Sequence, residues 1–228
     1  TPDPYPHWTI KEIHEQIDSS LRAISLGGRL LSSNTVKLGG LDKCREKLQE
    51  VDNIILLGCG TSYHSALVGV YYFRDLCNFN SVQLFDGAEF HTRDIPRKGK
   101  TAFILLSQSG ETADLIRCIS LIRLTDAIII GIVNVVDSQI AREVDCGCYL
   151  NAGREVGVAS TKSFTSQVIL LSMVAIWFSQ HKEINIEKRT RYVCDLRNLY
   201  LDIEACLKTT ENTCKSITDT FHYNNCFI

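Results

Sequence analysis

Residues 107–112 read Ser-Gln-Ser-Gly-Glu-Thr and place three hydroxyl side chains around one glycine. An apolar run precedes this segment and a helical pattern follows it, so the segment is predicted to begin a helix. A helix N-terminus carries unpaired N–H groups and the positive end of the helix dipole. The hydroxyls of Ser107, Ser109 and Thr112 could therefore complete a cradle for a phosphate group without any lysine or arginine.

Glu111 leaves two interpretations of this segment open. A carboxylate would repel phosphate, so in a phosphate site Glu111 must point away from the cradle or help to cap the helix. Alternatively, the segment is only a helix start capped by serine or threonine, where an acidic residue in the first turn is favourable.

A second loop with hydroxyl groups lies at residues 58–62, which read Gly-Cys-Gly-Thr-Ser. Its glycines would let backbone amides approach a ligand closely, and Thr61 and Ser62 offer hydroxyls. The alternative is a tight strand-to-helix turn with Ser62 as the N-cap. The Gly-x-Gly pair lacks the third glycine of a dinucleotide-binding fingerprint.

A third segment, residues 151–160, is predicted as a long loop before an apolar helix at about 161–180. Its small residues suit the wall or lid of a pocket, although a long loop can also be only a connector. Ser160 or Thr161 could cap the helix that follows.

The elements that position these loops alternate between strand and helix. Five short apolar runs predict strands, and helical patterns separate them; the strands are expected at 53–57, 82–85, 101–106, 127–133 and 146–150, and the helices at 62–76, 88–92, 112–124 and 138–142. This alternation predicts an α/β fold, a three-layer αβα sandwich around a five-stranded parallel sheet of the flavodoxin-like type. In such a sheet, ligands bind beyond the carboxyl ends of the strands, where the strand order reverses. The loops at 58–62 and 107–112 are therefore expected to share one edge.

The remaining chain divides into flanking segments. Residues 1–50 are predicted as a linker over 1–9 followed by helices at 10–24 and 41–48, and residues 51–181 form the α/β domain. Residues 182–222 follow as two helices at 186–208 and 211–221, and residues 223–228 look like the start of a further strand that is cut short.

Composition excludes several classes of protein. Lys and Arg number 24 against 26 Asp and Glu, so the net charge of -2 offers no basic field for nucleic acid. The longest apolar run, at 168–178, is too short for a bilayer, and the first residues lack the pattern of a signal peptide. No pair among the ten cysteines has Cys-x-x-Cys spacing and the six histidines are scattered. We therefore expect reduced thiols, a cytoplasmic location, no membrane and no metal or other cofactor.

Several blocks in order resemble the sugar isomerase (SIS) domain family, more narrowly the first of two SIS subdomains in the isomerase half of the glutamine–fructose-6-phosphate aminotransferase family. The resemblance runs from about His7 to the C-terminus, and the matching residues are closer to those of the eukaryotic members. The matching blocks are His7-Trp8, Lys11-Glu-Ile, Glu15-Gln, Gly58-Cys-Gly-Thr-Ser-Tyr-His, Ala88-Glu-Phe, Ser107-Gln-Ser-Gly-Glu-Thr-Ala-Asp and the segment 151–167 with Val-Ala-Ser-Thr-Lys.

The resemblance implies a site for a sugar phosphate such as fructose 6-phosphate or glucosamine 6-phosphate. Positions matching that site are Cys59 (through its backbone), Thr61, Ser62, Ser107, Gln108, Ser109, Thr112, Val158 and Ser160. The hydroxyls of Ser107, Ser109 and Thr112 would hold the phosphate, and Val158 and Ser160 would form the wall of the pocket.

The family's reaction takes ammonia from glutamine, condenses it with fructose 6-phosphate and isomerises the product to glucosamine 6-phosphate. The glutaminase nucleophile and the catalytic Glu, Lys and His cannot be placed in this sequence, so we expect these 228 residues to bind the phosphosugar without catalysis. The resemblance also implies a homodimer or larger homo-oligomer. Two other interpretations stay open: a non-catalytic module that senses a phosphosugar, and a dimerisation domain whose loops are only caps.

Overall fold

The computed structural model describes residues 1–221, apart from the side chains at positions 219 and 220. Its sheet has five strands: β1 Asn53–Gly58, β2 Ser81–Asp86, β3 Thr101–Ser107, β4 Ile128–Val133 and β5 Cys146–Tyr149. Nine helices accompany them in the described chain: α1 Trp8–His14, α2 Gln16–Ala23, α3 Gly39–Asp42, α4 Arg45–Gln49, α5 Thr61–Leu76, α6 Ala113–Ile122, α7 Gln139–Glu143, α8 Lys162–His181 and α9 Ile186–Phe221. The strand start predicted at 223–228 lies outside the described residues.

The sheet is parallel throughout, in the order β2-β1-β3-β4-β5. All residues of β1, β3 and β4 are buried, because helices cover both faces of the sheet. The strand order reverses between β1 and β3, where the chain has moved outward to β2 and then returns past β1. The predicted α/β fold, its parallel five-stranded sheet and its flavodoxin-like strand order are confirmed.

Two apolar cores lie on the two faces of the sheet. The larger core packs α5 and α8 on the sheet and includes the fully buried side chains of Phe73 and Trp177. The smaller core lies under α6 and α7 and includes Leu115 and Ile140. Helix α8 has the length and hydropathy of a membrane span, yet 78% of its apolar window is buried inside the protein, because α2, α5 and α9 contact it. Its apolar character is therefore accounted for by a position in the core.

Five helix predictions differ from the structure. The helix expected at 10–24 is divided at Glu15 into α1 and α2, and α1 begins inside the predicted linker. The helix expected at 41–48 is divided into α3 and α4. The two helices expected at 186–208 and 211–221 are one helix, α9. Thr209 and Thr210 lie within it, and their hydroxyls donate to the carbonyls of Ala205 and Cys206 in the preceding turn.

The helix expected at 88–92 is replaced by a turn and one short 3-10 turn, Thr92–Asp94. Side chains satisfy the backbone here in place of helical hydrogen bonds. The Asp86 carboxylate accepts from the Ala88 N–H at 2.9 Å, and Asp94 accepts from the His91 N–H at 2.9 Å.

Candidate functional site at the strand-order reversal

The two hydroxyl-bearing loops follow adjacent strands at the point where strand order reverses. Residues 58–62 follow β1 and residues 107–112 follow β3, which pairs with β1 in register. Helix α5 begins within the first segment, at Thr61, and α6 begins directly after the second, at Ala113. Two helix N-termini and two sets of hydroxyls therefore meet at one edge of the sheet, which is the usual place for a ligand in a fold of this kind.

Internal hydrogen bonds give the loop 107–112 its shape. The hydroxyls of Ser107 and Thr112 lie 2.8 Å apart, and the Gly110 N–H donates to Ser107 Oγ at 2.9 Å. Ser109 Oγ accepts from the Glu111 N–H at 3.1 Å. Gly110 has φ +69°, and a Cβ there would lie 2.0 Å from Ser138 Oγ. The turn that carries the hydroxyls therefore requires glycine at this position.

The Glu111 side chain does not compete for an anion in this loop. Its carboxylate accepts a hydrogen bond from the Gln139 N–H at the start of α7, at 2.8 Å. The carboxylate therefore caps a neighbouring helix. The sequence left the direction of the Glu111 side chain open, and in the structure this side chain points away from the cradle.

The loop 58–62 approaches the helix after it very closely. A Cβ at Gly58 would lie 2.7 Å from the backbone of Ser62, and Gly60 occupies the N-cap position with φ +55°. The alternative in which Ser62 is the N-cap is therefore wrong. Ser62 Oγ instead accepts from Gln167 Nε2 of α8 at 2.9 Å, which joins α5 to α8. Thr61 is exposed at the first turn of α5.

The Cys59 side chain is directed toward the turn after β2. A Cβ on Gly87 would lie 2.9 Å from its sulfur. Burial raises the pKa of the Cys59 thiol, and the nearby charge of Asp86 raises it further. The thiol is therefore protonated at neutral pH and is not an activated nucleophile. Its backbone remains at the turn between β1 and α5.

The loop 151–160 ends in a cap that the sequence did not predict. Glu155 Oε1 accepts from the N–H groups of Thr161 at 2.9 Å and Ser163 at 3.2 Å. Thr161 occupies the N-cap position of α8 as expected, but its side chain makes no cap hydrogen bond, because the Glu155 carboxylate upstream already satisfies the free N–H groups. Ser160 Oγ donates to Glu155 at 3.5 Å, and the Val158 side chain is fully exposed in this chain.

Asn134 joins the cradle to the loop 151–160 and was not identified from the sequence. Its N–H donates to the Gln108 carbonyl at 3.3 Å, and its side-chain amide donates to the Gly153 carbonyl at 2.7 Å. Its Oδ1 accepts from the Ala152 N–H at 3.0 Å. A polar residue directly after a buried strand was the signal that could have identified it.

A cavity of about 890 Å³ lies at the other edge of the sheet, near the amino ends of β3 and β4. Charged side chains line it, but an ion pair joins Lys100 to Glu50 and another joins Arg123 to Asp145. Four of its charged side chains are therefore paired with one another.

The SIS domain model matches residues 47–177. The chain belongs to the SIS domain family, as its motifs predicted. Its curated relatives are named as isomerizing glutamine–fructose-6-phosphate aminotransferases. One from Acanthamoeba polyphaga mimivirus, named as a probable enzyme of this type, is 38% identical over 236 residues, which is 100% of this chain and 37% of the relative. The Saccharomyces cerevisiae enzyme is 37% identical over 207 residues, covering 90% of this chain and 28% of its own length.

A solved structure agrees with these relatives. The C-terminal domain of glucosamine-fructose-6-phosphate aminotransferase from Francisella tularensis superposes with a TM-score of 0.87 at 27% identity, covering 97% of this chain and 61% of that one. The resemblance to the isomerase half of this family is thereby confirmed. The chain spans 28–37% of the length of the two curated relatives described above.

Proposed function

We propose that this chain is the phosphosugar-binding part of the isomerase half of a glutamine–fructose-6-phosphate aminotransferase. The observation that carries the proposal is the meeting of two hydroxyl-bearing loops and two helix N-termini at the β1–β3 reversal. In the complete protein, fructose 6-phosphate and ammonia from glutamine would yield glucosamine 6-phosphate. The coarser conclusion, a phosphosugar-binding SIS domain, rests on family membership and on the homologues together.

The phosphate binds at the start of α6 in this proposal. Ser107, Ser109 and Thr112 supply hydroxyls, and the first turn of α6 supplies N–H groups and the positive end of its dipole. The N–H of Gln139 donates to the Glu111 carboxylate, which is thereby directed toward α7 and away from the proposed phosphate position. The sugar then lies toward the second loop and the long loop, where the proposed contacts are Cys59 through its backbone, Thr61, Ser62, Gln108, Val158 and Ser160.

The role of this chain in the reaction is to bind and orient the substrate. Isomerisation at C1 and C2 of the sugar requires a positioned acid and base. The carboxylates of Glu12, Asp86, Glu111 and Glu155 accept hydrogen bonds from backbone N–H groups, so these four are engaged in holding structure. We therefore propose that the acid and base come from outside this chain, and that the chain by itself binds without turnover.

We further propose that the protein acts in the cytoplasm as a homodimer or larger homo-oligomer. All nine cysteines in the described part of the chain are free thiols, which suits a reducing compartment. Light scattering of the full-length protein would measure the number of subunits.

Calorimetric titration of the full-length protein with fructose 6-phosphate and glucosamine 6-phosphate tests the binding proposal. Ser109→Ala should weaken binding by about 1–3 kcal/mol, the value of one charge-assisted hydrogen bond. Ser120→Ala is the matched control, because this serine is exposed on α6, the helix that follows the cradle. Absence of binding at millimolar ligand would defeat the proposal. Binding without turnover in the full-length protein would favour the sensing module instead.

A further inference from the structure

The loop 151–160 is fixed at both ends beside the candidate binding loops. At its start, Asn134 bonds both to Gly153 and to the carbonyl of Gln108 in the cradle. At its end, α8 begins, and Gln167 on that helix donates to Ser62 in the second binding loop. Residues 154–160 therefore connect a segment that contacts the cradle to the helix that contacts the second binding loop.

The middle of this loop is held by Glu12 of α1. The Glu12 side chain is buried, and its Oε1 accepts from the Val156 N–H at 2.6 Å while its Oε2 accepts from the Gly157 N–H at 3.1 Å. Hydrogen bonds from N–H groups to a carboxylate are stronger than those between neutral groups, and burial removes competing water. Two successive backbone positions of the loop are thus fixed by one side chain.

The space around this contact is closed to any larger residue. A Cβ at Gly157 would lie 2.7 Å from Glu12 Oε2 and 3.1 Å from Thr9 Oγ1. The loop backbone consequently lies directly against α1. Val158 follows at once, and its side chain is exposed rather than packed into the protein.

Helix α1, which carries Glu12, and the adjoining helix α2 are attached to α8. Lys162, almost fully buried at the start of α8, bonds through Nζ to Glu15 Oε2 at 2.5 Å. Thr165 Oγ1 donates to Gln16 Oε1 at 2.6 Å. The α1–α2 junction and the first turn of α8 therefore form one frame, and Glu12 holds the loop to this frame.

We propose that Glu12 is a positioning residue for the sugar end of the site. By fixing the backbone at Val156 and Gly157, it sets where Val158 and Ser160 stand against the sugar, while its own hydrogen bonds go to this loop and not to the phosphate cradle at 107–112. This inference rests on the proposed function. It adds to that function a residue on the N-terminal helix, outside all three loops.

Binding of two ligands distinguishes an effect on the sugar end of the site from an effect on the phosphate end. The full-length Glu12→Gln variant keeps the side-chain length but presents an amide to N–H donors, so the loop should shift. We expect fructose 6-phosphate to bind about tenfold more weakly, since small misplacements of a positioning group have effects of this order or larger. Competition by inorganic phosphate, which occupies only the cradle, should stay unchanged. Asp18→Asn, an exposed carboxylate on α2, is the matched control.

Ser109→Ala should give a contrasting pattern, because it should weaken the binding of both fructose 6-phosphate and inorganic phosphate. Gly157→Ala is the second variant and should reproduce the selective loss of Glu12→Gln, since its Cβ displaces the same contact. If Glu12→Gln does not fold, the Gly157→Ala titration decides the question.

Three results would overturn the inference. Unchanged affinity for fructose 6-phosphate in both variants would show that the contact does not position the sugar. Equal weakening of both ligands would show a general structural role. If the wild-type protein binds neither ligand, both the proposed function and this inference fail. If the wild-type protein binds and only Ser109→Ala weakens binding, this inference fails but the proposed function stands.

Discussion

Gly110 shows how a single residue controls the proposed phosphate cradle. Its φ of +69° is strained for a residue with a side chain, and a Cβ would lie 2.0 Å from Ser138 Oγ. Gly110→Ala should therefore lower the free energy of unfolding by about 2–4 kcal/mol, through backbone strain and overpacking together. Urea denaturation measures this loss.

Gly153→Ala is the control for that substitution. Gly153 has a similar φ of +79°, but the nearest atom to an added Cβ is Arg22 Nη2 at 3.5 Å, an ordinary contact. This variant should show only the cost of backbone strain, about 1–2 kcal/mol. Equal losses in the two variants would contradict the close contact between Gly110 and Ser138.

The end of α8 should make stability depend on pH. His181 packs its ring against Trp177 with centroids 4.4 Å apart, and its Nε2 is buried without a hydrogen-bond partner among the described residues. Burial lowers the pKa of His181, and the positive charge of Arg45 lowers it further, while Asp42 acts in the opposite direction. The unfolded chain therefore binds a proton more readily than the folded chain does.

Stability should consequently decrease as the pH falls below the ordinary histidine pKa of about 6.5. Above that pKa the contribution of His181 is fully present, because the residue is neutral in both states. His181→Phe should make the unfolding free energy less dependent on pH between 7 and 5, and urea titrations at both pH values measure this. The exposed His7 provides the control as His7→Gln. An identical pH dependence in wild type and His181→Phe would contradict the expectation.

At the scale of elements, most strands could be predicted because burial on both faces produces uninterrupted apolar runs, as in β1 and β4. Helix boundaries were less predictable. The division at Glu15 coincides with contacts between the α1–α2 junction and α8, and α9 continues through Thr210, whose hydroxyl bonds back to the preceding turn. Local propensity contains neither kind of information.

The distribution of cysteines over the whole molecule predicts an order of chemical labelling. Cys194, Cys206 and Cys214 are exposed on α9, whereas Cys118 and Cys148 are buried. Burial raises the pKa of Cys118 to about 11 and that of Cys148 to about 11. Since the thiolate is the reactive form, iodoacetamide at pH 8 should modify the α9 cysteines at least about tenfold faster.

Peptide mass spectrometry over a time course measures these labelling rates. In urea the rates should become similar, because exposure and pKa no longer differ between the sites. Labelling of Cys118 in the native protein as fast as that of Cys206 would contradict the described burial.

The sequence by itself determined the architecture and the position of the candidate site. Apolar runs alternating with helical patterns imply a parallel sheet, and the hydroxyls at 58–62 and 107–112 directly follow two of its strands. In a parallel sheet the strand ends lie at a common edge, so these loops were expected to meet. The motifs also identified the SIS family, because their residue types and spacing are specific to it.

Only the tertiary structure decided which side chains support the site. Glu12 bonds to a residue 144 positions away, and Gln167 bonds to one 105 positions away. Glu155 makes the cap hydrogen bonds expected of a serine or threonine side chain at the start of α8. A hydrogen-bond partner is chosen by distance in space after the helices have packed, and no local spacing in the sequence specifies that distance.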